Sequence, residues 1–214
     1  MGLSNWDVHR SADTILVQET VGAIRGFGGA TFFETSNHTI IAATLTPNNT
    51  FPRGFLRGRM RMLVRIDTTM FGGWYFGGVL FKSHDDVTSG GIGRASYLAG
   101  LTFGGWIIRK YANGLDVAGV TLASTGANFF PVERTPFALE VHWAYDLLQY
   151  GGTSLAVFAG TALDFSDLTL RLTGLDTSNP FSTSVGEGIG HVKNNTTNTQ
   201  SNSVVDNVSI YKWT

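Results

Sequence analysis

Apolar and polar residues alternate at every second position along much of this chain, the period of an extended strand with one buried and one wet face. The clearest run is Arg57 to Ile66, RGRMRMLVRI. Gly58, Met60, Met62, Val64 and Ile66 share one face; Arg57, Arg59, Arg61 and Arg65 share the other, where Leu63 interrupts the arginines. Phe137 to Tyr145 repeats the pattern, with Phe137, Leu139, Val141 and Trp143 inward and Ala138, Glu140 and His142 outward. Further strands are predicted at Thr14 to Glu19, Ala30 to Glu34, Thr39 to Thr46, Trp74 to Phe81, Ser154 to Gly160, Leu168 to Leu172, Val185 to Val192 and Val204 to Trp213. Gly77-Gly78 suggests a bulge or a close backbone approach. Turn-forming clusters such as Ser36-Asn37-His38 and Gly151-Gly152 separate the runs. No window combines helical spacing with caps at both ends.

Tyr97 to Leu122 is the best-defined stretch. Two apolar runs flank Gly104-Gly105, and a third follows Asn113-Gly114. Asn-Gly suits a tight hairpin because both residues tolerate positive φ. Trp106 to Tyr111 is therefore expected to pair back on Leu115 to Leu122. Many short strands with turns between them predict an all-β chain, an antiparallel two-sheet jelly-roll sandwich. No linker or repeat divides it, so one domain over residues 1–214 is expected, with 1–13 as an N-terminal arm.

Composition narrows the chemistry. Charged residues make up only 14% and aromatics 12%, so the surface is left largely to Ser, Thr, Asn and Gly. The net charge of -1 offers no electrostatic draw for nucleic acid or an anionic membrane, and neither partner is expected. With 0 cysteines there is no disulfide and no thiolate metal site. The five histidines are scattered, no nucleotide-binding or nucleophile-elbow motif is present, and no cofactor or metal is expected. The first residues carry no apolar signal core, so synthesis in a cytoplasm is expected.

The series Tyr97-Leu-Ala-Gly-Leu, Trp106-Ile-Ile-Arg-Lys-Tyr with Asn113-Gly114, Phe137-Ala-Leu-Glu-Val, Ser154-Leu-Ala-Val-Phe and Asp206-Asn-Val-Ser-Ile-Tyr resembles the concanavalin A-like lectin/glucanase superfamily, above all its laminin-G-like members. The resemblance runs from Arg57 to Trp213 and lies in the strand pattern. It implies a two-sheet jelly roll that hosts several functions. The glucanase branch uses Glu-x-Asp-x-x-Glu on one strand, and no such triplet occurs here. The lectin branch often holds Ca²⁺, and the acidic points His84-Asp85-Asp86 and Asp206-Asn207 read as a solvated loop and a strand-end hydrogen-bonding pair.

Two functions follow as expectations. The first, drawn from similar unsecreted domains in tailed-bacteriophage virions, is a non-enzymatic structural protein: a capsid decoration or a tail and fibre accessory. It would pack as a homo-oligomer against other virion proteins. Its anchors would be Phe51, Phe55, Phe129, Phe130 and Phe181, loop aromatics that read equally as plugs over the core. The alternative is a carbohydrate-binding module. Arg57, Arg59 and Arg61, which read first as a solvated sheet face pairing with carboxylates on neighbouring strands, would contact an anion or a sugar acid, and Trp74, Trp106 or Tyr111 would form a stacking platform, with Trp106 weighed also as a packing residue.

Overall fold

In the computed structural model the backbone is described for residues 6–10, 14–19, 29–34, 40–45, 56–66, 74–81, 95–102, 105–112, 119–126, 134–181, 186–193 and 201–213. Side chains are described for 56–66, 75–80, 95–102, 105–112, 119–126, 134–181, 187–190 and 203–213. Period-two alternation becomes strand throughout, and no helix occurs among the described residues. The strands are β1 (Trp6–Arg10), β2 (Thr14–Glu19), β3 (Gly29–Glu34), β4 (Ile40–Leu45), β5 (Arg57–Ile66), β6 (Trp74–Phe81), β7 (Ser96–Thr102), β8 (Gly105–Tyr111), β9 (Val120–Ser124), β10 (Phe137–Asp146), β11 (Gly152–Gly160), β12 (Thr169–Asp176), β13 (Gly186–Lys193) and β14 (Ser201–Lys212).

They form two seven-stranded antiparallel sheets. The first runs β1-β4-β13-β6-β7-β8-β9, and the second runs β12-β11-β10-β5-β14-β3-β2. Sequence neighbours are often split between sheets, which is jelly-roll connectivity. Trp6–Arg10, expected to belong to an arm, is the edge strand β1, paired with β4.

The core lies between the sheets. Met60, Met62, Val64 and Ile66 of β5 and Leu139, Val141 and Trp143 of β10 meet Phe76, Ala99, Leu101, Trp106 and Ile108 from the first sheet. Burying each large side chain contributes about 1.5–3 kcal/mol, so alternation sets which face points inward. At Gly77 and Gly100, which are paired in register, the backbones approach closely: a Cβ on Gly77 would lie 2.1 Å from the Ala99 carbonyl oxygen. The glycine pair serves close approach, without a bulge.

The central hairpin differs from expectation. A two-residue Asn113-Gly114 turn would pair Lys110 with Val117, yet Lys110 pairs with Val120. In this register, which shifts between Ile108 and Arg109, Leu122 and Ala123 pack against the core. The tight connection lies earlier, where Thr102 pairs with Gly105. Residues 113–118 lie outside the described residues.

Candidate functional site

The outer face of the second sheet assembles the chemistry. Antiparallel register sets Arg61 opposite Glu140 and Arg59 opposite His142, and on the other side Ser209 opposite Arg61 and Tyr211 opposite Arg59. Two rungs therefore cross the sheet. One reads Ser209–Arg61–Glu140–Phe158, and the next reads Tyr211–Arg59–His142–Ala156.

A bulge puts Tyr211 there. In β14, Asp206 pairs with Leu63 and Ser209 with Arg61, so two residues oppose the single Met62. Asn207 takes φ 51° at this point, a left-handed conformation that Asn tolerates. Its N–H donates to Asp206 Oδ1 at 2.7 Å. The extra residue reverses the strand's phase. Val205 points into the core before the bulge; after it, Val208 and Ile210 do, while Tyr211 and Trp213 emerge on the outer face.

Glu140 is the buried centre of the site. Its carboxylate accepts from Arg61 Nε and His142 Nε2, and Arg59 Nη1 lies 3.9 Å away. Burial alone would raise its pKa, but the hydrogen bonds and charges of His142 and Arg61 prevail and hold the carboxyl below its ordinary value. An ionised carboxylate only accepts, so His142 Nε2 carries a proton in either state of the ring, and Nδ1 has a lone pair only when the ring is neutral. The ring lies 4.5 Å from Phe158 and edge-on to Trp213 at 4.8 Å. The Arg59 guanidinium lies 4.7 Å from the centre of the Tyr211 ring, and that of Arg61 lies 5.3 Å from the centre of the Phe165 ring.

Exposure is graded along the face. The side chains of Arg57, Arg59 and Arg61 are 45%, 31% and 26% exposed, and Leu63, next on that side, is fully buried. Ala138, beyond Glu140 on β10, is likewise buried. The face is a trough, open at the Arg57 end and roofed near the loop 161–168. At the open end Arg57 pairs with Asp146, whose other oxygen caps the turn 147–150 through the N–H groups of Leu148 and Gln149 at 2.9 Å.

The other residues singled out in the sequence lie elsewhere. Trp106 is 2% exposed and packs edge-on to Phe137 in the core, and Tyr111 is 1% exposed in the first sheet, so neither is a sugar platform. Trp74 opens β6 in the first sheet; its side chain lies outside the described ones. Phe181 is an internal plug and not a surface anchor, its ring 4.4 Å from that of Tyr97. Phe51, Phe55, Phe129 and Phe130 lie outside the described residues, as does His84-Asp85-Asp86. Asp206-Asn207 forms the bulge within β14 and does not end a strand. Among the described residues no group of three or more His, Asp or Glu could hold a metal ion.

A second polar cluster is structural. Tyr97 donates to Asp176 at 2.6 Å and accepts the Phe181 N–H at 3.1 Å. Lys110 pairs with Asp176 at 2.6 Å and donates to the carbonyls of Ser178 and Asn179. Burial first, then the bond to Asp176, pushes the Tyr97 hydroxyl pKa up. This cluster ties both sheets to the segment that carries Phe181.

No protein-family model matches the chain, and no curated protein matches it. Solved structures do. A PL-14 alginate lyase from Aplysia kurodai superposes with TM-score 0.62 at 9% identity, covering 95% of this chain and 89% of that one. The exoplasmic/lumenal domain of VIP36, bound to Ca²⁺ and Man3GlcNAc, gives 0.59 at 10% identity over 100% of this chain and 86% of that one. A legume lectin-like domain from Entamoeba histolytica gives 0.56 at 10% identity, with 99% and 92% covered. The fold is the concanavalin A-like jelly roll, shared by lectins and lyases. The expectation of a non-enzymatic protein is thereby corrected. It rested on the missing glucanase carboxylates, which test hydrolysis alone, and alginate lyases share this fold.

Proposed function

We propose that the outer face of the second sheet binds an acidic polysaccharide. The observation that carries this reading is Arg59, stacked on Tyr211 and nearly a third exposed, with its Nη1 no nearer than 3.9 Å to the Glu140 carboxylate. A guanidinium fork matches a sugar carboxylate, and aromatic faces suit the C–H faces of a pyranose ring. Arg59 and Arg61 supply the charge, Tyr211 and Trp213 the stacking surfaces, and Glu140 holds Arg61 and His142 in place. This reading replaces virion packing, whose one described anchor, Phe181, lies inside the core.

Affinity electrophoresis through gels containing alginate, polygalacturonate or a neutral glucan tests it. Retardation by an acidic polymer and not by the glucan is expected, weakening as salt rises. Equal migration in all three gels overturns the reading.

One further observation favours chemistry at the same place: His142 and Tyr211 stand on either side of Arg59 on one rung. Their backbones are two strand spacings apart, about 10 Å, and the Trp213 ring stands edge-on beside His142. With a uronate carboxylate neutralised by Arg59, a base such as His142 Nδ1 removes the proton from the carbon beside the carboxylate. The C–H electrons form the ring double bond, the neighbouring C–O bond to the next sugar breaks, and the departing oxygen takes a proton from the Tyr211 hydroxyl. The unsaturated product absorbs in the ultraviolet. Binding without growth of that absorbance leaves the face a lectin site.

A further inference from the structure

The loop 161–168, between β11 and β12, leans over the roofed end of the trough, and its Phe165 ring meets the Arg61 guanidinium. The loop is tightly built. Asp167 accepts from Thr161 N–H at 2.9 Å, Thr161 Oγ1 at 2.8 Å and Ala162 N–H at 3.0 Å. Asp164 accepts from Ser166 N–H at 3.0 Å, and the Phe165 N–H donates to the Ala162 carbonyl at 3.1 Å. Gly160 makes room for this closure, because a Cβ there would lie 2.0 Å from Asp167 Oδ1.

Within this frame Phe165 takes φ 66°. A bulky residue without a polar side chain gains nothing from the left-handed region, where glycine or asparagine is the ordinary occupant. Stability alone would favour either of those. The ring that the conformation presents lies half-buried over Arg61, on the ligand-facing side of the sheet.

We infer that Phe165 is a positioning residue for the acidic ligand: its ring fixes the Arg61 guanidinium, already tethered to Glu140 through Nε, and walls the trough at that end. This role rests on the acidic-glycan reading of the face. The backbone strain at Phe165 is retained because the ring completes the ordering of a guanidinium that Glu140 holds through Nε and that Tyr211 meets at 5.9 Å. A ligand carboxylate then meets a fixed guanidinium fork, and the sugar chain is confined to the Arg59 rung and the open end beyond it.

The test compares the wild type with Phe165→Gly, and with Phe165→Asn as a second variant that also accepts the left-handed backbone. Three quantities are read: the melting temperature, the affinity for an alginate tetrasaccharide by calorimetry, and the exchange rate of the Arg61 Nε–H by NMR in the free protein. Expected are an unchanged or raised melting temperature, an affinity reduced about ten-fold, and faster Nε–H exchange. Variants that bind within about two-fold of the wild type, or that leave Arg61 exchange unchanged, overturn the role alone. A wild type that binds no acidic oligosaccharide overturns the reading of the face and the role with it. A fall in melting temperature in both variants assigns the ring to stability and overturns the inference too.

Discussion

Arg109 and Arg59 make the same contact in different sheets. Each lays its guanidinium over a tyrosine ring: Arg109 over Tyr75 at 4.3 Å and Arg59 over Tyr211 at 4.7 Å. Arg109 is 8% exposed and spends its terminal nitrogens within the molecule, Nη1 on the Tyr75 hydroxyl at 2.5 Å and Nη2 on the Gly119 carbonyl. Arg59 is nearly a third exposed, and its polar neighbour, the Glu140 carboxylate, stands 3.9 Å away. The outer face of the first sheet around Arg109 is closed, with Val79, Leu98 and Tyr111 buried beside it. The arginine–tyrosine stack is a structural clamp where its terminal donors are spent internally; at Arg59 the partly exposed guanidinium is left for the ligand proposed above.

Truncation separates the two. Arg109→Ala strips two hydrogen bonds from a closed face and leaves the Tyr75 hydroxyl and the Gly119 carbonyl to find other partners. We expect a loss of about 2–4 kcal/mol in urea unfolding. Glu140→Gln comes next, at about 1–3 kcal/mol, because it removes the charge that holds Arg61 and His142. The wild type should show the corresponding acid sensitivity. The Glu140 pKa is lowered on folding, so its contribution is complete above the ordinary value of 4.5 and is lost as the pH falls through the lower folded value. Glu140→Gln should flatten that part of the stability–pH curve. Arg59→Ala should cost under about 1 kcal/mol of stability while weakening acidic-polysaccharide retention by about ten-fold or more; the reverse ranking of the two arginines would erase the comparison. Tyr211→Phe is the mildest change, within about 0.5 kcal/mol in stability. It keeps the ring over Arg59 and should keep binding, and it abolishes elimination if the hydroxyl is the proton donor.

Strand existence was legible because period two is a local signal. β2, β5 and β6 run between the residues that alternation marks, and the inward set Phe137, Leu139, Val141 and Trp143 lies in the core between the sheets. Connections were less legible, because Lys110 pairs with Val120, three residues beyond the partner that a two-residue Asn-Gly turn gives, and local turn chemistry does not carry the register shift at Ile108/Arg109. The site was half legible. Arg57, Arg59 and Arg61 mark one strand of it, and Glu140 and His142 already stood among outward positions, so facing β5 to β10 was the missing step. Tyr211 and Trp213 could not be placed by counting, since the bulge at Asn207 changes the parity of β14 within one residue. Trp106 and Tyr111 misled because aromatic size alone does not tell a core ring from a platform.

That bulge decouples the length of β14 from the face it presents. Regular pairing without Asn207 would set Val208 opposite Met62 and leave Ile210 facing the core and Tyr211 and Trp213 facing outward. The strand carries one residue more than its partner, and the surplus is absorbed at a single left-handed position. A change of length by one residue at this point is therefore expected to spare the outer face, whereas the same change between Ser209 and Tyr211 would turn Tyr211 and Trp213 inward.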